Sequence, residues 1–202
     1  MPHVARLVVL LVVAGFASGC AGGRAPASFD PSGPCTGDGQ RAGAYPELEQ
    51  LIPGSFEGIA PAQLDSGRNC TDQNLGTLAS HGIREVRFAG GLWETGDRSG
   101  FTLAVLVAPD LTAQRMADFY EAGTRAGRKT EDVTRSTLQL AGRNAWMIST
   151  LNDESYQSIV VWDAGQPGTV KAVLVGSDVR ETEGMGPHNA LVQRALAAFS
   201  SQ

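Results

Sequence analysis

The sequence predicts an α+β fold, in which an antiparallel sheet of about five to seven strands carries a central helix and a C-terminal helix. Four short apolar or alternating segments follow one another within residues 133–176, and glycine-containing or polar links join them. Two further apolar segments, residues 83–89 and 101–108, come before them, and helical apolar patterns occupy residues 110–126 and 187–199. Helices that are separate from a series of consecutive strands indicate helices packed on an antiparallel sheet.

The chain begins with the pattern of an export signal, which we assign to residues 1–19. Arg6 supplies the positive charge of a short leading segment, and an apolar run of about 11 residues follows it. That run is shorter than the ~20 residues of a membrane-spanning helix. The small residues ASG then precede Cys20 and resemble the lipobox of bacterial lipoproteins. The resemblance implies a lipid on Cys20 and attachment to the extracytoplasmic face of the cell membrane. The alternative is an ordinary secretory signal with an incidental cysteine.

Residues 20–44 are predicted to be the lipidated cysteine and a flexible tether, because they are rich in Gly, Pro, Ala and Ser and have no apolar period. Cys35 and Cys70 are the remaining cysteines, and in an oxidising compartment such a pair predicts a disulfide. A metal-binding or catalytic thiol pair is the alternative, but no CxxC spacing and no neighbouring histidine support it. A single α+β domain is then expected over residues 45–202.

The first part of this domain is predicted to alternate short helices with extended segments. Residues 46–52 can form a helix that begins at a proline, and residues 56–64 are expected to be a short strand or an extended loop. Thr71 is a suitable N-cap for a helix over residues 72–80, and Gly82 suits the left-handed position that closes it.

Residues 90–100 are predicted to be a glycine-rich loop between two strands. The loop carries Trp93, Glu94, Asp97 and Arg98. A tryptophan in a polar, flexible loop is typical of a residue that contacts a ligand or a partner. These four residues are therefore the predicted contact site, and the alternative is that Trp93 packs over a sheet edge.

The second part of the domain carries the clearest helix and the series of strands. Asp110 is predicted to cap the helix and Gly127 to end it, with one apolar stripe along its length. The dipeptide at Ala141 and Gly142 predicts a tight hairpin turn. Residues 156–163 carry apolar side chains on both faces, which predicts a sheet covered on both sides. This order of elements, over residues of about 80 to 200, resembles that of Mog1/PsbP-like domains, and the chain as a whole resembles small bacterial lipoproteins.

The charge and the motifs exclude several classes of function. The chain has 16 Lys and Arg against 21 Asp and Glu, so it lacks the basic surface that nucleic acid requires. Serine-hydrolase, zinc-protease and phosphate-loop motifs are absent from the sequence. His81 is expected at a helix end, and His188 is expected to be exposed in the first turn of the last helix. The acidic stretch 178–188 is interpreted as a solvated loop, with a divalent-cation site as the alternative.

The sequence therefore predicts no catalytic residue, no metal and no cofactor. It favours a non-catalytic, lipid-anchored binding module of the bacterial cell envelope, attached to the membrane through Cys20 and contacting an envelope protein or a cell-wall component. The alternatives are a carrier or chaperone for a small apolar ligand, and an extracytoplasmic hydrolase whose triad is assembled only in space.

Overall fold

A computed structural model describes residues 29–95, 99–127, 130–152, 155–178 and 185–200. Within these residues, eight strands form one antiparallel sheet with the order β1-β2-β3-β4-β8-β7-β6-β5. The strands are β1 Gly39–Arg41, β2 Gln63–Asn69, β3 Val86–Glu94, β4 Gly100–Val107, β5 Thr130–Leu140, β6 Arg143–Asn152, β7 Ser155–Asp163 and β8 Thr169–Asp178. The helices are α1 Pro46–Glu49, α2 Asp72–Leu75, α3 Thr77–Ser80, α4 Ala113–Ala126 and α5 Met185–Ser200.

The sheet has more strands than the five to seven that the sequence predicts, because β1 and β2 carry no apolar pattern. β1 lies within the stretch predicted to be a tether, and it pairs with β2 along its whole length. β2 has the polar sequence QLDSGRN, and it pairs with β3 over seven residues. β2 can be polar because neither of its faces is packed in the apolar core along its whole length. On one face polar side chains bind the N-terminal segment, and the other face is only partly covered.

The helices pack on both faces of the sheet and give three layers. α5 packs against β4, β7 and β8, and α1 packs against β2 and β3 on the same side. α4 packs on the opposite side against β5, β6, β7 and β8, with α3 beside it. β4 and β8 lie at the centre, and their apolar side chains are buried on both faces, as the sequence predicts for residues 101–108.

The first helices differ in detail from the predicted ones. Thr71 is the N-cap of α2 as predicted, and its hydroxyl oxygen accepts a hydrogen bond from the Asn74 amide at 3.4 Å. The predicted single helix is broken in two at Gly76, whose φ of 49° is not helical. Gly82 has a φ of 81°, which confirms the left-handed position predicted for it.

The cap of α4 is Thr112 and not Asp110, which corrects the sequence prediction. Asp110 has a φ of 58° and lies in the turn before the helix. Thr112 accepts a hydrogen bond from the Arg115 amide at 3.2 Å, and the Ala113 amide donates to the carboxylate of Asp163 at 2.8 Å. The carboxylate of Asp163, at the end of β7, thus supplies the negative charge at the N-terminus of α4 that the sequence predicts from Asp110.

Residues 29–41, which we call the N-terminal arm, are held to the domain at three points. The disulfide between Cys35 and Cys70 is present, with the two Cα atoms 5.5 Å apart, which confirms the predicted pairing. The buried Arg68 guanidinium donates hydrogen bonds to the carbonyl oxygens of Gly33 at 2.9 Å, Pro34 at 3.0 Å and Asp30 at 3.1 Å.

Asp38 forms the third attachment of the N-terminal arm. Its carboxylate accepts hydrogen bonds from the Thr71 amide at 3.0 Å, from the Asn74 side-chain amide at 2.8 Å, and from the Cys70 amide and the Thr71 hydroxyl at 2.5 Å each. Burial alone would raise the pKa of Asp38, but these hydrogen bonds outweigh burial and hold the pKa below its ordinary value. Residues 29–41 are therefore part of the folded domain.

Candidate functional site

Trp93 lies in the core, which corrects its assignment to an exposed contact loop. β3 continues through the glycine-rich stretch to Glu94. Trp93 therefore points to the α5 face of the sheet, the same face as Ala89 and Gly91. Its side chain is 2% exposed, its ring stacks on Phe101 with centroids 5.3 Å apart, and its indole N–H donates to the Ile59 carbonyl at 2.9 Å.

Of the other predicted site residues, Glu94 is exposed at the end of β3. Asp97 and Arg98 of the predicted contact loop lie outside the described residues, and so does Cys20, the predicted lipidation site. The structure therefore brings Trp93 and Glu94 to the end of one strand, but it points them to opposite environments.

His188, in the first turn of α5, is fully buried between this helix and the sheet, which corrects the expectation that it is exposed. Its Nε2 atom lies 2.9 Å from the hydroxyl of Ser158, and its Nδ1 atom lies 3.0 Å from the hydroxyl of Ser177. The Ser158 hydroxyl is in turn 3.2 Å from that of Ser149. We call these four residues the serine–histidine cluster, which joins β6, β7 and β8 to the first turn of α5.

The serine–histidine cluster has the connectivity of a nucleophile, a base and an orienting group, but not their environment. Ser158 is 2% exposed and Ser177 is 1% exposed, so neither hydroxyl is presented to a substrate. A neutral imidazole donates through one nitrogen and accepts through the other, and two serines satisfy it in either tautomer. Burial lowers the pKa of His188 to about 4, which keeps the ring neutral and makes it a weak base. The cluster fits a buried structural network.

The acidic stretch before α5 also differs from its sequence interpretation. Asp178 is the last residue of β8 and is buried, whereas Glu181 and Glu183 lie outside the described residues. In the part of the chain that the structure describes, no group of three or more His, Cys, Asp or Glu side chains is arranged to hold a metal ion.

Among the described residues, no helix covers the half of the α4 face that β1, β2 and β3 form, which we call the open half. Eight strands spaced by about 4.8 Å span about 34 Å. A single helix about 10 Å wide covers only part of that width. α4 lies over β5 to β8, and α2 and α3 cover only the end of β3 and β4. Phe88, Gly90 and Leu92, which point to this face from β3, are consequently half-exposed.

A small pocket lies at the centre of this open half. Gly90 pairs with Asp65 of β2 on one side and with Ala104 of β4 on the other, so two small residues stand beside one carboxylate. The missing side chain of Gly90 leaves a depression of about 50 Å³. We call it the Gly90 pocket, and it is lined by Gln40, Gln63, Asp65, Phe88, Ala89, Gly90, Leu92, Thr102 and Ala104.

Asp65 is the charged group of the Gly90 pocket. Its Oδ2 atom accepts hydrogen bonds from the side-chain amides of Gln63 at 2.6 Å and Gln40 at 3.3 Å. Burial raises the pKa of Asp65, the Gln63 hydrogen bond opposes this, and the nearby Glu49 carboxylate adds to it. Among the described residues, no Lys or Arg forms an ion pair with Asp65.

Thr102 is the second polar group that lines the Gly90 pocket. Its side chain is 2% exposed, and its hydroxyl oxygen has no hydrogen-bond partner in the described part of the chain. The methyl carbon of Thr102 faces the pocket, since a Cβ atom placed on Gly90 would lie 3.6 Å from it. The sequence signal for this site is the pair Gly90 and Gly91 within an apolar strand. Glycines inside a strand often mark a place where another group comes close to the backbone.

Comparison with known proteins gives no family for this chain. No family model matches the sequence, and no curated protein matches it. Among solved structures, it is similar to the solution structure of cyanobacterial PsbP (CyanoP) from Synechocystis sp. PCC 6803, with 11% identity and a TM-score of 0.37. The match covers 72% of this chain and 96% of that chain. It is a weak fold similarity to a PsbP-like domain, and no residue role is transferred from it.

None of the helices in the described residues combines the length and the apolar character that a membrane span needs.

Proposed function

We propose that the protein is a non-catalytic binding module of the bacterial cell envelope, anchored through a lipid on Cys20 to the extracytoplasmic face of the membrane. It contacts an envelope partner through the open half of the sheet, at β2 and β3. The observation that carries the proposal is the Gly90 pocket, which holds a half-buried carboxylate without an ion-pair partner among the described residues on a face that the helices leave uncovered.

The N-terminal arm supports the anchored arrangement. A disulfide is typical of proteins that fold in an oxidising compartment, which agrees with export. The arm is fixed to the domain by this bond, by Arg68 and by Asp38. A lipid-linked tether would therefore join the domain at a defined point.

The two alternative functions have less support. A carrier for an apolar ligand needs an enclosed apolar cavity, and pockets for small ligands usually have about 300–1,000 Å³. The Gly90 pocket is much smaller, and the wider groove of about 600 Å³ beside the start of α4 is open and formed by turn residues such as Asp110, Gly165 and Pro167. A hydrolase would need an accessible nucleophile, whereas the serine–histidine cluster is buried.

Site-specific crosslinking in the native envelope tests the proposed contact face. A photoreactive amino acid replaces Gln63, which is exposed at the rim of the Gly90 pocket, and a matched variant carries it at Gln193, which is exposed on α5. We expect a discrete crosslinked product from the first position that is lost when Gly90→Val fills the pocket. Identical products from both positions, or a product that Gly90→Val does not change, would contradict the proposal.

The anchor is tested separately by Cys20→Ser, which should release the protein from membranes into the soluble fraction of lysed cells. A Cys20→Ser variant that still sediments with membranes would refute the lipid anchor while leaving the contact face untouched.

A further inference from the structure

The shape of the Gly90 pocket suits the end of one side chain. A Cβ atom placed on Gly90 would meet the Thr102 methyl carbon at 3.6 Å and the Leu103 carbonyl at 3.7 Å, which are ordinary contact distances. The site therefore has free space above the backbone, and Phe88 and Leu92 form half-exposed walls along β3 on either side. A volume of about 50 Å³ is too small for a whole ligand but large enough for a terminal group.

The charge of the pocket selects a cation. Both amide donors that reach Asp65, from Gln63 and Gln40, bond to its Oδ2 atom. Its Oδ1 atom has no hydrogen bond from any described residue. A half-buried carboxylate without a counter-charge is unfavourable, and a bound cation removes that cost. The net charge of −5 also favours a positive occupant.

The hydrogen-bonding groups favour an ammonium group over a guanidinium group. Arginine binds carboxylates best through two parallel N–H groups, which require both carboxylate oxygens. In Asp65, one oxygen is already occupied by two amides. An ammonium group is a point charge with three donors, so it needs only the free oxygen of Asp65.

The apolar walls favour a long alkyl stem beneath that charge. Lysine side chains commonly lay their methylene groups on apolar surface while the ammonium group reaches a polar partner. Phe88 and Leu92 offer such a surface next to Asp65. The Phe88 ring can also attract a cation that lies over its face.

We propose that the Gly90 pocket binds the side chain of a lysine that a partner protein presents, with its ammonium group against the free oxygen of Asp65. This inference rests on the proposed function, since it assigns an occupant to the same face.

The test is a titration of the full chain carrying Cys20→Ser, followed by NMR, with the tripeptide acetyl-Gly-Lys-Gly-amide as the probe. We expect saturable chemical-shift changes centred on the amides of Asp65, Gly90 and Thr102. The matched peptide with an ε-N-acetylated lysine, which keeps the stem and loses the charge, should bind at least about tenfold more weakly. The arginine peptide should also bind more weakly than the lysine peptide.

Two pocket variants and one control locate the site. Asp65→Asn keeps the shape and removes the charge, so the lysine peptide should bind about tenfold more weakly or worse. Gly90→Val fills the space in a strand that tolerates β-branched residues, so saturable binding should be lost. Glu47→Gln removes an exposed charge on α1, on the other side of the sheet, and should leave binding unchanged.

The inference is overturned if the acetylated peptide binds as well as the lysine peptide, if the arginine peptide binds more tightly, or if Asp65→Asn has no effect. It fails alone if the peptide does not bind while the crosslink from Gln63 still depends on Gly90. The proposed function fails alone if the peptide binds at Asp65 while no crosslink in the envelope depends on Gly90. Circular dichroism of each variant verifies that the sheet is intact.

Discussion

Replacing His188 with glutamine tests the buried serine–histidine cluster, and it should change how the stability of the protein depends on pH. In the folded state, burial lowers the pKa of His188 from 6.5 to about 4. In the unfolded chain the ring is hydrated, and its pKa is near the ordinary value of about 6.5. Below pH 6.5 the unfolded state therefore binds a proton that the folded state excludes.

The size of the effect follows from this pKa difference. A pKa difference of one unit is worth about 1.4 kcal/mol, so the difference between 6.5 and about 4 is worth about 3 kcal/mol of folding stability. None of this stability is lost above pH 6.5. It is lost progressively as the pH falls from 6.5 toward 4, because the unfolded chain takes up the proton and the folded chain does not. By pH 4.5 about 2.5 kcal/mol should already be lost.

Urea unfolding between pH 7.5 and pH 4.5 measures this loss. Trp93 and Trp162 are 2% and 3% exposed, so their fluorescence reports on unfolding of the core. His188→Gln should be less stable at pH 7.5 by about 1–3 kcal/mol, because an amide cannot reach both serines with the same geometry. Its stability should fall with pH by about 2.5 kcal/mol less than that of the wild type.

His81→Gln is the matched control, because His81 is exposed at the end of α3. Because the side chain is exposed, this substitution should change the stability at pH 7.5 by no more than about 0.5 kcal/mol. The carboxylates that also titrate near pH 4 are common to all three proteins and cancel in the comparison. The argument from burial would be refuted if the difference in the free energy of unfolding between the wild type and His188→Gln were the same at pH 4.5 as at pH 7.5. A change of less than about 0.5 kcal/mol counts as the same, because extrapolation to water carries an error on the order of that size.

Three further predictions concern the N-terminal arm and the Gly90 pocket. Replacing Cys35 and Cys70 with serine should lower the free energy of unfolding by about 4 kcal/mol, since the bond closes a loop with a sequence separation of 35; urea unfolding measures this, and a reductant should affect the wild type but not the variant. Arg68→Ala should leave carbonyl groups of the arm unpaired and cost roughly 3 kcal/mol; faster hydrogen exchange of residues 30–41 is the specific readout, and unchanged exchange there would contradict the role of Arg68. Asp65→Asn should raise the stability at pH 7, because burial raises the pKa of Asp65 and its ionised form is unfavourable in the fold; a lower urea midpoint at pH 7 would show that the carboxylate is satisfied within the chain.

The sequence predicts the centre of the fold better than its margin. β4 and β8 are recognisable because both of their faces are buried, so their apolar residues form nearly continuous runs. The hairpin turn at Ala141 and Gly142 is recognisable because both residues need a positive φ, and they have values of 49° and 77°. β2 is not recognisable, since hydrogen bonds to the N-terminal arm and a half-open face replace the apolar contacts that a pattern would show.

The candidate site was the hardest part to predict, because its residues come from different strands. Asp65 and Thr102 are 37 positions apart in the sequence and are brought together only by the register of β2, β3 and β4. The burial of His188 depends in the same way on Ser158 and Ser177, and no local pattern shows that these serines will face α5. The glycines around Trp93 predict a loop, whereas in the structure they lie within β3. A Cβ atom on Gly91 would come within 2.8 Å of Ile52 and 2.9 Å of the Trp93 ring, and Gly90 leaves the space of the Gly90 pocket.

The disulfide also determines how a mechanical load would pass through the protein. Cys35 comes before β1 in the sequence, and Cys70 comes directly after β2. Tension that arrives from the N-terminal side therefore crosses a covalent bond to the end of β2 before it can reach β1. The edge strand, which could otherwise be pulled away from the sheet one hydrogen bond at a time, carries none of that tension. A domain connected in this way keeps the shape of its open sheet face while its attachment point is pulled.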